Sequence, residues 1–224
     1  DALFVGGGEH ITGLTEFSLN DCQALDVCVR GEGEQTFAEL VKTYEKTGNF
    51  KGVNGIAYLD SDKVLQQDQS PPPRILEIDQ IGWPFWPNGY LEKFWTLGKS
   101  FGALTERDMP FMVSRGCPYQ CTFCSSPQMW TTKWQARNAD EVIEEMQFYI
   151  DKYKVQNFDF YDLTTIVKKN WIIDFCQKII KKNWNITWQM PAGTRSEALD
   201  DETLGLMVLS GQQMISYAPE SGSA

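Results

Sequence analysis

The chain has 224 residues, 42% hydrophobic and 13% aromatic, with 20 Lys and Arg against 30 Asp and Glu for a formal charge of −10. That composition excludes a disordered segment, and the length allows one large or two small domains. No apolar run nears the roughly 18–20 residues of a membrane span, and an acidic balance with a pI near 4.6 disfavours nucleic acid and favours a small-molecule substrate.

The chain opens at Asp1 directly into the apolar run 2–5, which reads as a buried strand already under way, and it stops at Ala224 just after another strand-like run. A fragment cut at both ends is the expectation. The loop Gly6-Gly7-Gly8-Glu9-His10 follows, then an amphipathic helix over 14–19. A second buried strand spans 27–30, and Gly31-Glu32-Gly33-Glu34 leads into a helix over 36–46 with Phe37, Leu40, Val41 and Tyr44 at helical spacing and Gly48 as its stop. Strand, glycine turn and helix thus occur twice, the pattern of an open α/β sheet whose ligands sit at the carboxyl ends of the strands. Runs at 55–59 and 63–65 predict a hairpin closing this first domain, 1–69. From 70 to 108 prolines and aromatics replace periodicity, including Trp83-Pro84-Phe85-Trp86-Pro87. This is a connector whose aromatics either pack onto the flanking domains or line a substrate site.

The alternation resumes in a second domain, 109–224. Strands are predicted at 111–114, 158–161, 186–190 and 214–217. Helices are predicted over 139–153 with Asn138 as cap, 171–182, and 201–209 with Asp200 as cap and Gly211 as stop. Cys176 falls on the apolar face of the middle helix and reads as core. Four βα-spaced parallel strands make an open sheet or part of a barrel, with function at their C-terminal ends.

Cys117, Cys121 and Cys124 spell CxxxCxxC on the loop leaving the first strand of that domain, while Cys22, Cys28 and Cys176 are scattered. A secreted disulfide scaffold would be shorter and denser in cysteine, so a reducing cytoplasm is the expected compartment. Three thiolates on one loop can wrap a metal cluster and leave one metal position open for a substrate or cofactor. A structural zinc would want a fourth ligand, and no other Cys or His lies within fifty residues of the group.

The stretch from Ser114 to Cys124 resembles the radical S-adenosylmethionine (SAM) signature, with aromatic Phe123 just before the last cysteine. The resemblance implies that Cys117, Cys121 and Cys124 hold a [4Fe-4S] cluster whose open iron is chelated by SAM. It also implies reductive cleavage of SAM to a 5′-deoxyadenosyl radical in a dry, closed site. The implied fold is a partial (βα)6 TIM-like barrel, of which the four strands would be the first four. Asp162, in Phe160-Tyr161-Asp162, stands where the family places polar groups near the SAM amino group, although Tyr-Asp-Leu-Thr replaces the commoner forms. Gly193-Thr194-Arg195 and Pro219-Glu220-Ser221-Gly222-Ser223 match motifs after the third and fourth strands, the latter in the cobalamin-dependent branch. Arg195 and Glu220 would then reach SAM. A surface charge and a helix-capping carboxylate are their alternatives.

The first domain is similar to the C-terminal half of the Rossmann-like cobalamin-binding α/β domain of that branch, with Gly6, Gly7, Gly8, Gly31, Glu32 and Gly33 admitting the cofactor to the backbone. Each glycine loop alone reads equally as a tight turn. His10 lacks the Asp-x-His-x-x-Gly surroundings of a cobalt ligand. The branch includes the anaerobic magnesium-protoporphyrin IX monomethyl ester cyclase and related methyltransferases. It implies an enzyme that performs methyl transfer or oxidative cyclisation on an unactivated carbon, with a flavodoxin or ferredoxin as electron donor. One rival is a radical SAM enzyme without cobalamin, methylthiotransferase-like, which would need more N-terminal cysteines than Cys22 and Cys28. The other, an iron–sulfur electron carrier, is disfavoured because carriers usually ligate the cluster with four cysteines.

Overall fold

The computed structural model of the chain describes residues 2–67, 74–98, 102–217, 219 and 222. The elements in chain order begin with β1 (Val5–Gly6), α1 (Glu9–Gly13), α2 (Thr15–Asp21), β2 (Val27–Val29), α3 (Gly33–Thr47), β3 (Ile56–Leu59) and β4 (Leu65–Gln67). There follow α4 (Tyr90–Thr96), β5 (Asp108–Phe111), β6 (Ser114–Arg115), α5 (Ser126–Trp130), β7 (Gln135–Ala136), α6 (Ala139–Tyr153) and β8 (Asn157–Phe160). The last are α7 (Lys169–Lys182), β9 (Thr187–Met190), α8 (Asp201–Leu209) and β10 (Gln212–Ile215). Two compact units result, Asp1–Glu77 with Tyr119–Thr131, and Ile78–Pro118 with Thr132–Ala224.

In the first unit the sheet order is β1-β2-β3-β4. β1 and β2 run parallel, and β3 and β4 add antiparallel as the hairpin expected from the sequence. Val27, Val29, Leu40, Val53 and Ile56 form its core. The helix expected over 14–19 is α2, Thr15–Asp21, and the additional short helix α1 precedes it, the two separated at Leu14 (φ −130°, ψ 43°). The helix expected from residue 36 starts at Gly33, because a glycine in the first turn is spared most of its interior penalty where the N–H groups lack intrahelical partners anyway. Its end at Gly48, left-handed with φ 69°, is as read.

The second unit holds a sheet in the order β10-β9-β8-β5, all parallel. Sequential strands are therefore neighbours, each joined to the next through a helix. Successive side chains alternate across the sheet. Met109, Phe111, Phe158, Phe160, Trp188 and Met190 pack in one core with Val142, Met146, Tyr149, Ile172 and Phe175 of α6 and α7. Phe160 stacks on Trp188 at 5.2 Å between ring centroids. Cys176 lies in this core, as expected, and burial pushes its thiol up to about 11. Both predicted caps form: Asn138 accepts from Asp140 N (2.9 Å) and Asp200 from Thr203 N (3.0 Å).

The first strand of this sheet starts at Asp108, three residues before the expected start, and contains Pro110. A proline fits because β5 ends the sheet order with β8 as its neighbour, and an edge position demands no donor on its open side. Ser114, expected in the same strand, instead begins β6, which pairs antiparallel with β7. Two of the connector's aromatics are anchored within the second unit, where Trp86 Nε1 donates to the Tyr149 hydroxyl (3.3 Å) and Trp95 Nε1 to the Asp108 carbonyl (2.7 Å), whereas Phe85 is 87% exposed.

Candidate functional site

β5 ends at Phe111, and the ribbon of β6 and β7, with Ser114 opposite Ala136 and Arg115 opposite Gln135, forms the two stems of the cysteine loop. The root of this loop is fixed by Asp162, 2% exposed, just past β8. Its carboxylate accepts from Val113 N (3.1 Å), from Ser114 N, and from Ser114 Oγ (2.6 Å). Burial pushes this carboxyl up to about 6, while the hydrogen bonds from Ser114 and Val113 pull it down. The residue assigned to SAM by resemblance thus spends its oxygens on the start of the cysteine loop.

Cys117 is half-buried and lies 3.4 Å from Thr164 Oγ1. The Thr164 carbonyl accepts from Trp134 Nε1 (2.9 Å) and Ser114 Oγ (3.3 Å), which locks that backbone in place. In the first unit Cys121 is half-buried and Cys124 exposed. Cys124 N donates to the Cys121 carbonyl (3.0 Å), and Ser126 N, at the start of α5, donates to Cys124 Sγ (3.4 Å). Phe123 is 69% exposed. Among the described residues, no three His, Cys, Asp or Glu side chains are gathered as a metal-binding group. The donor set still fits an iron–sulfur cluster chemically, because thiolates are the ligands such clusters take.

Arg195 is exposed and paired with Glu197 (3.0 Å). Its neighbour Thr194 accepts from Ile166 N through Oγ1 (3.2 Å), tying the loops after β8 and β9 together. Glu220 lies outside the described residues.

Val5, Gly6, Gly7, Val29, Gly33, Glu34 and Phe37 line a cleft of about 360 Å³ in the first unit. It opens at the C-terminal ends of the parallel pair β1 and β2, where α/β sheets bind ligands. Three of the six glycine-loop residues singled out from the sequence, Gly6, Gly7 and Gly33, meet there. Gly8 and Gly31 have positive φ (97° and 69°) in the turns behind it. Glu32 is buried, paired with Arg74 (3.2 Å) and accepting from Ile75 N. Gly6 and Gly7 differ in the space around them. A Cβ on Gly6 would stand 3.0 Å from Leu25 Cδ1 and 3.1 Å from Ile11 Cδ1, so those two side-chain tips would have to give way by a few tenths of an ångström. One on Gly7 would meet only the Val29 carbonyl, at 3.8 Å, an ordinary van der Waals contact. Phe37, on the predicted apolar stripe of α3, is 49% exposed and turns to this cleft.

A polar group not singled out in the sequence lies on the face of the second sheet opposite its helices. Asp108, Asn157, Asp159 and Gln189 are each 0% exposed. Asp108 accepts from Leu104 N (2.5 Å) and Thr105 N (2.8 Å). Asn157 Nδ2 bridges Asp108 (3.0 Å) and Asp159 Oδ1 (2.7 Å). Gln189 Nε2 donates to Asp159 Oδ1 (2.6 Å) and the Gly102 carbonyl (2.5 Å). Asp159 Oδ2 and Gln189 Oε1 have no hydrogen-bond partner among the described residues. Desolvation, with Asp108 adding to it, pushes the Asp159 carboxyl up to about 6 against the hydrogen bonds from Gln189 and Asn157. The available signal was the strict polar–apolar alternation of Asn157-Phe158-Asp159-Phe160 and Thr187-Trp188-Gln189-Met190.

No protein-family model matches the chain. An uncharacterized methyltransferase of Pyrococcus horikoshii is 32% identical over 223 residues, which are 100% of this chain and 46% of the relative. The anaerobic magnesium-protoporphyrin IX monomethyl ester cyclase of Cereibacter sphaeroides is 29% identical over 231 residues, 100% of this chain and 36% of the cyclase. Among solved structures, the cobalamin-dependent SAM radical enzyme OxsB, with aqua-cobalamin and SAM bound, matches at a TM-score of 0.71 and 17% identity over 94% of this chain and 30% of that one. The radical SAM methyltransferase TsrM from Kitasatospora setae matches at 0.70 and 16% over 95% and 40%. The chain spans less than half the length of these relatives. Its fold is that of the cobalamin-dependent radical SAM enzymes. Its homologues are methyltransferases and magnesium-protoporphyrin monomethyl ester cyclases, the branch its cysteine and glycine motifs resemble.

Proposed function

We propose that the chain is the core of a cobalamin-dependent radical SAM enzyme that performs methyl transfer or oxidative cyclisation on an unactivated carbon of a small molecule. The observation that carries this is the three-cysteine loop rooted at the C-terminal end of β5 in a chain with the fold of OxsB and TsrM. Residues 1–69 are assigned to the C-terminal half of a cobalamin domain, 70–108 to a connector and 109–224 to the first four strands of a partial barrel. The sequential parallel order β5-β8-β9-β10 supports that last assignment.

Cys117, Cys121 and Cys124 would hold the [4Fe-4S] cluster. Phe123, Arg195 and Glu220 are assigned to SAM, and Asp162 serves the same site by holding Val113 and Ser114. Gly6, Gly7, Gly8, Gly31, Glu32 and Gly33 are assigned to cobalamin, Gly6, Gly7 and Gly33 on the cleft wall and the other three in the supporting turns. When bound, a reduced cluster supplies the electron for cleaving SAM, and cobalamin supplies a carrier for the methyl group. A flavodoxin or ferredoxin in a reducing cytoplasm would deliver that electron.

The test is the electron paramagnetic resonance spectrum of the anaerobically reconstituted, reduced full-length protein with and without SAM. A cluster with an open iron changes its spectrum when SAM is added. An unchanged spectrum at full iron content would favour an electron carrier and overturn the proposal.

A further inference from the structure

Thr164 joins the loop after β8 to the cysteine loop. It is 4% exposed, and its carbonyl is held by Trp134 Nε1 and Ser114 Oγ, so its backbone is fixed and its side chain is buried. Its hydroxyl stands 2.8 Å from the Leu163 carbonyl and 3.4 Å from Cys117 Sγ. One hydroxyl proton serves one acceptor at a time. A neutral thiol competes weakly with a carbonyl, whereas a thiolate is a charged acceptor, and charged acceptors make roughly twice as strong a bond. The balance therefore turns toward sulfur once Cys117 is a ligand.

We infer that Thr164 is a positioning residue that donates a hydrogen bond to the Cys117 sulfur and raises the reduction potential of the cluster held there. This rests on the cluster assignment under Proposed function. The physical reason is that reduction adds negative charge, part of which resides on the ligand sulfurs, so a donor to sulfur stabilises the reduced form more than the oxidised one. Asp162, two residues earlier, fixes Val113 and Ser114 at the other end of the same contact. The hydroxyl and the sulfur are thereby both held by buried groups of one unit.

Thr164→Val exchanges the hydroxyl for a methyl of similar size, and Thr164→Ser keeps the hydroxyl. The full-length protein and both variants are reconstituted anaerobically, iron and sulfide are counted per chain, and the midpoint potential is then read by redox titration of the reduced-cluster spectrum. Full iron in all three is expected. Thr164→Val should have a lower potential, with the reduction equilibrium displaced up to tenfold, about 59 mV for one electron. Thr164→Ser should titrate with the wild type. An unmoved potential in a fully loaded Thr164→Val overturns the inference, as does an equal shift in Thr164→Ser, which would assign the effect to shape. Iron lost from Thr164→Val alone would make the residue a retainer of the loop and overturn it too. Wild-type protein that takes up no cluster overturns the assignment beneath it, an outcome visible in the iron count before any potential is read.

Discussion

Replacing Asp159 by Asn should stabilise the protein at neutral pH and leave it unchanged in acid. The carboxyl is fully buried and pushed from its ordinary 3.8 up to about 6, chiefly by desolvation. The folded state thus binds this proton more tightly than the unfolded chain does. Stability falls as pH rises from about 4 to about 6 and stays flat above. At 1.36 kcal/mol per pH unit, the whole penalty is about 3 kcal/mol. Asn at this position can still accept from Asn157 and Gln189 through its oxygen. Its NH₂ takes the place of Oδ2, which has no partner among the described residues, and Gln189 Oε1 is an acceptor in the same state in the same group. A donor left unsatisfied would return about 1–3 kcal/mol of the gain. Asp162, also pushed up to about 6, keeps its own slope in the same window, so the diagnostic quantity is the difference between variant and wild type. Urea unfolding at pH 4, 5, 6 and 7.5 measures it. The difference should grow with pH to at most about 3 kcal/mol and be level between 6.5 and 7.5. A difference between variant and wild type that does not depend on pH, or that is no larger at 7.5 than at 4, would refute the reasoning.

The two neighbouring glycines of the cleft separate fold from ligand. Gly6→Val meets Leu25 and Ile11 at once and should lose about 1–3 kcal/mol in denaturant unfolding. Gly7→Val should unfold near the wild type, yet weaken corrinoid affinity of the full-length protein measured by absorbance titration. Unchanged affinity would make that loop a turn only. Gly211 has φ 94°, and a Cβ there would stand 2.6 Å from the Ile186 carbonyl oxygen. Gly211→Ala should therefore cost at least about 1–3 kcal/mol, read as a lowered melting temperature.

What was legible in the sequence followed from local physics. Helical periodicity with Asn138 and Asp200 as caps placed α6 and α8, and the apolar stripe containing Cys176 placed the buried face of α7. The start of β5 was missed because Pro110 reads as a breaker unless the strand is known to lie at an edge, which only the sheet order reveals. The spacing Cys117-x₃-Cys121-x₂-Cys124 marked the loop to which the cluster is assigned. It could not show that Asp162 would be spent on Ser114, or that Thr164 would reach Cys117, since those contacts span 48 and 47 residues. Asp108, Asn157, Asp159 and Gln189 look like one solvated face of each strand when read singly. Their burial arises only once three strands and the segment bearing Gly102 close over them.

The central claim is that one loop of this chain holds an iron–sulfur cluster through three cysteines. Iron and acid-labile sulfide are counted after anaerobic reconstitution of the wild type and of the variant carrying Cys117→Ala, Cys121→Ala and Cys124→Ala together, with Mössbauer spectroscopy to identify the species. The account predicts one [4Fe-4S] cluster per wild-type chain and none in the triple variant. Full cluster iron in the triple variant, or zinc taken up in preference to iron by the wild type, would contradict it.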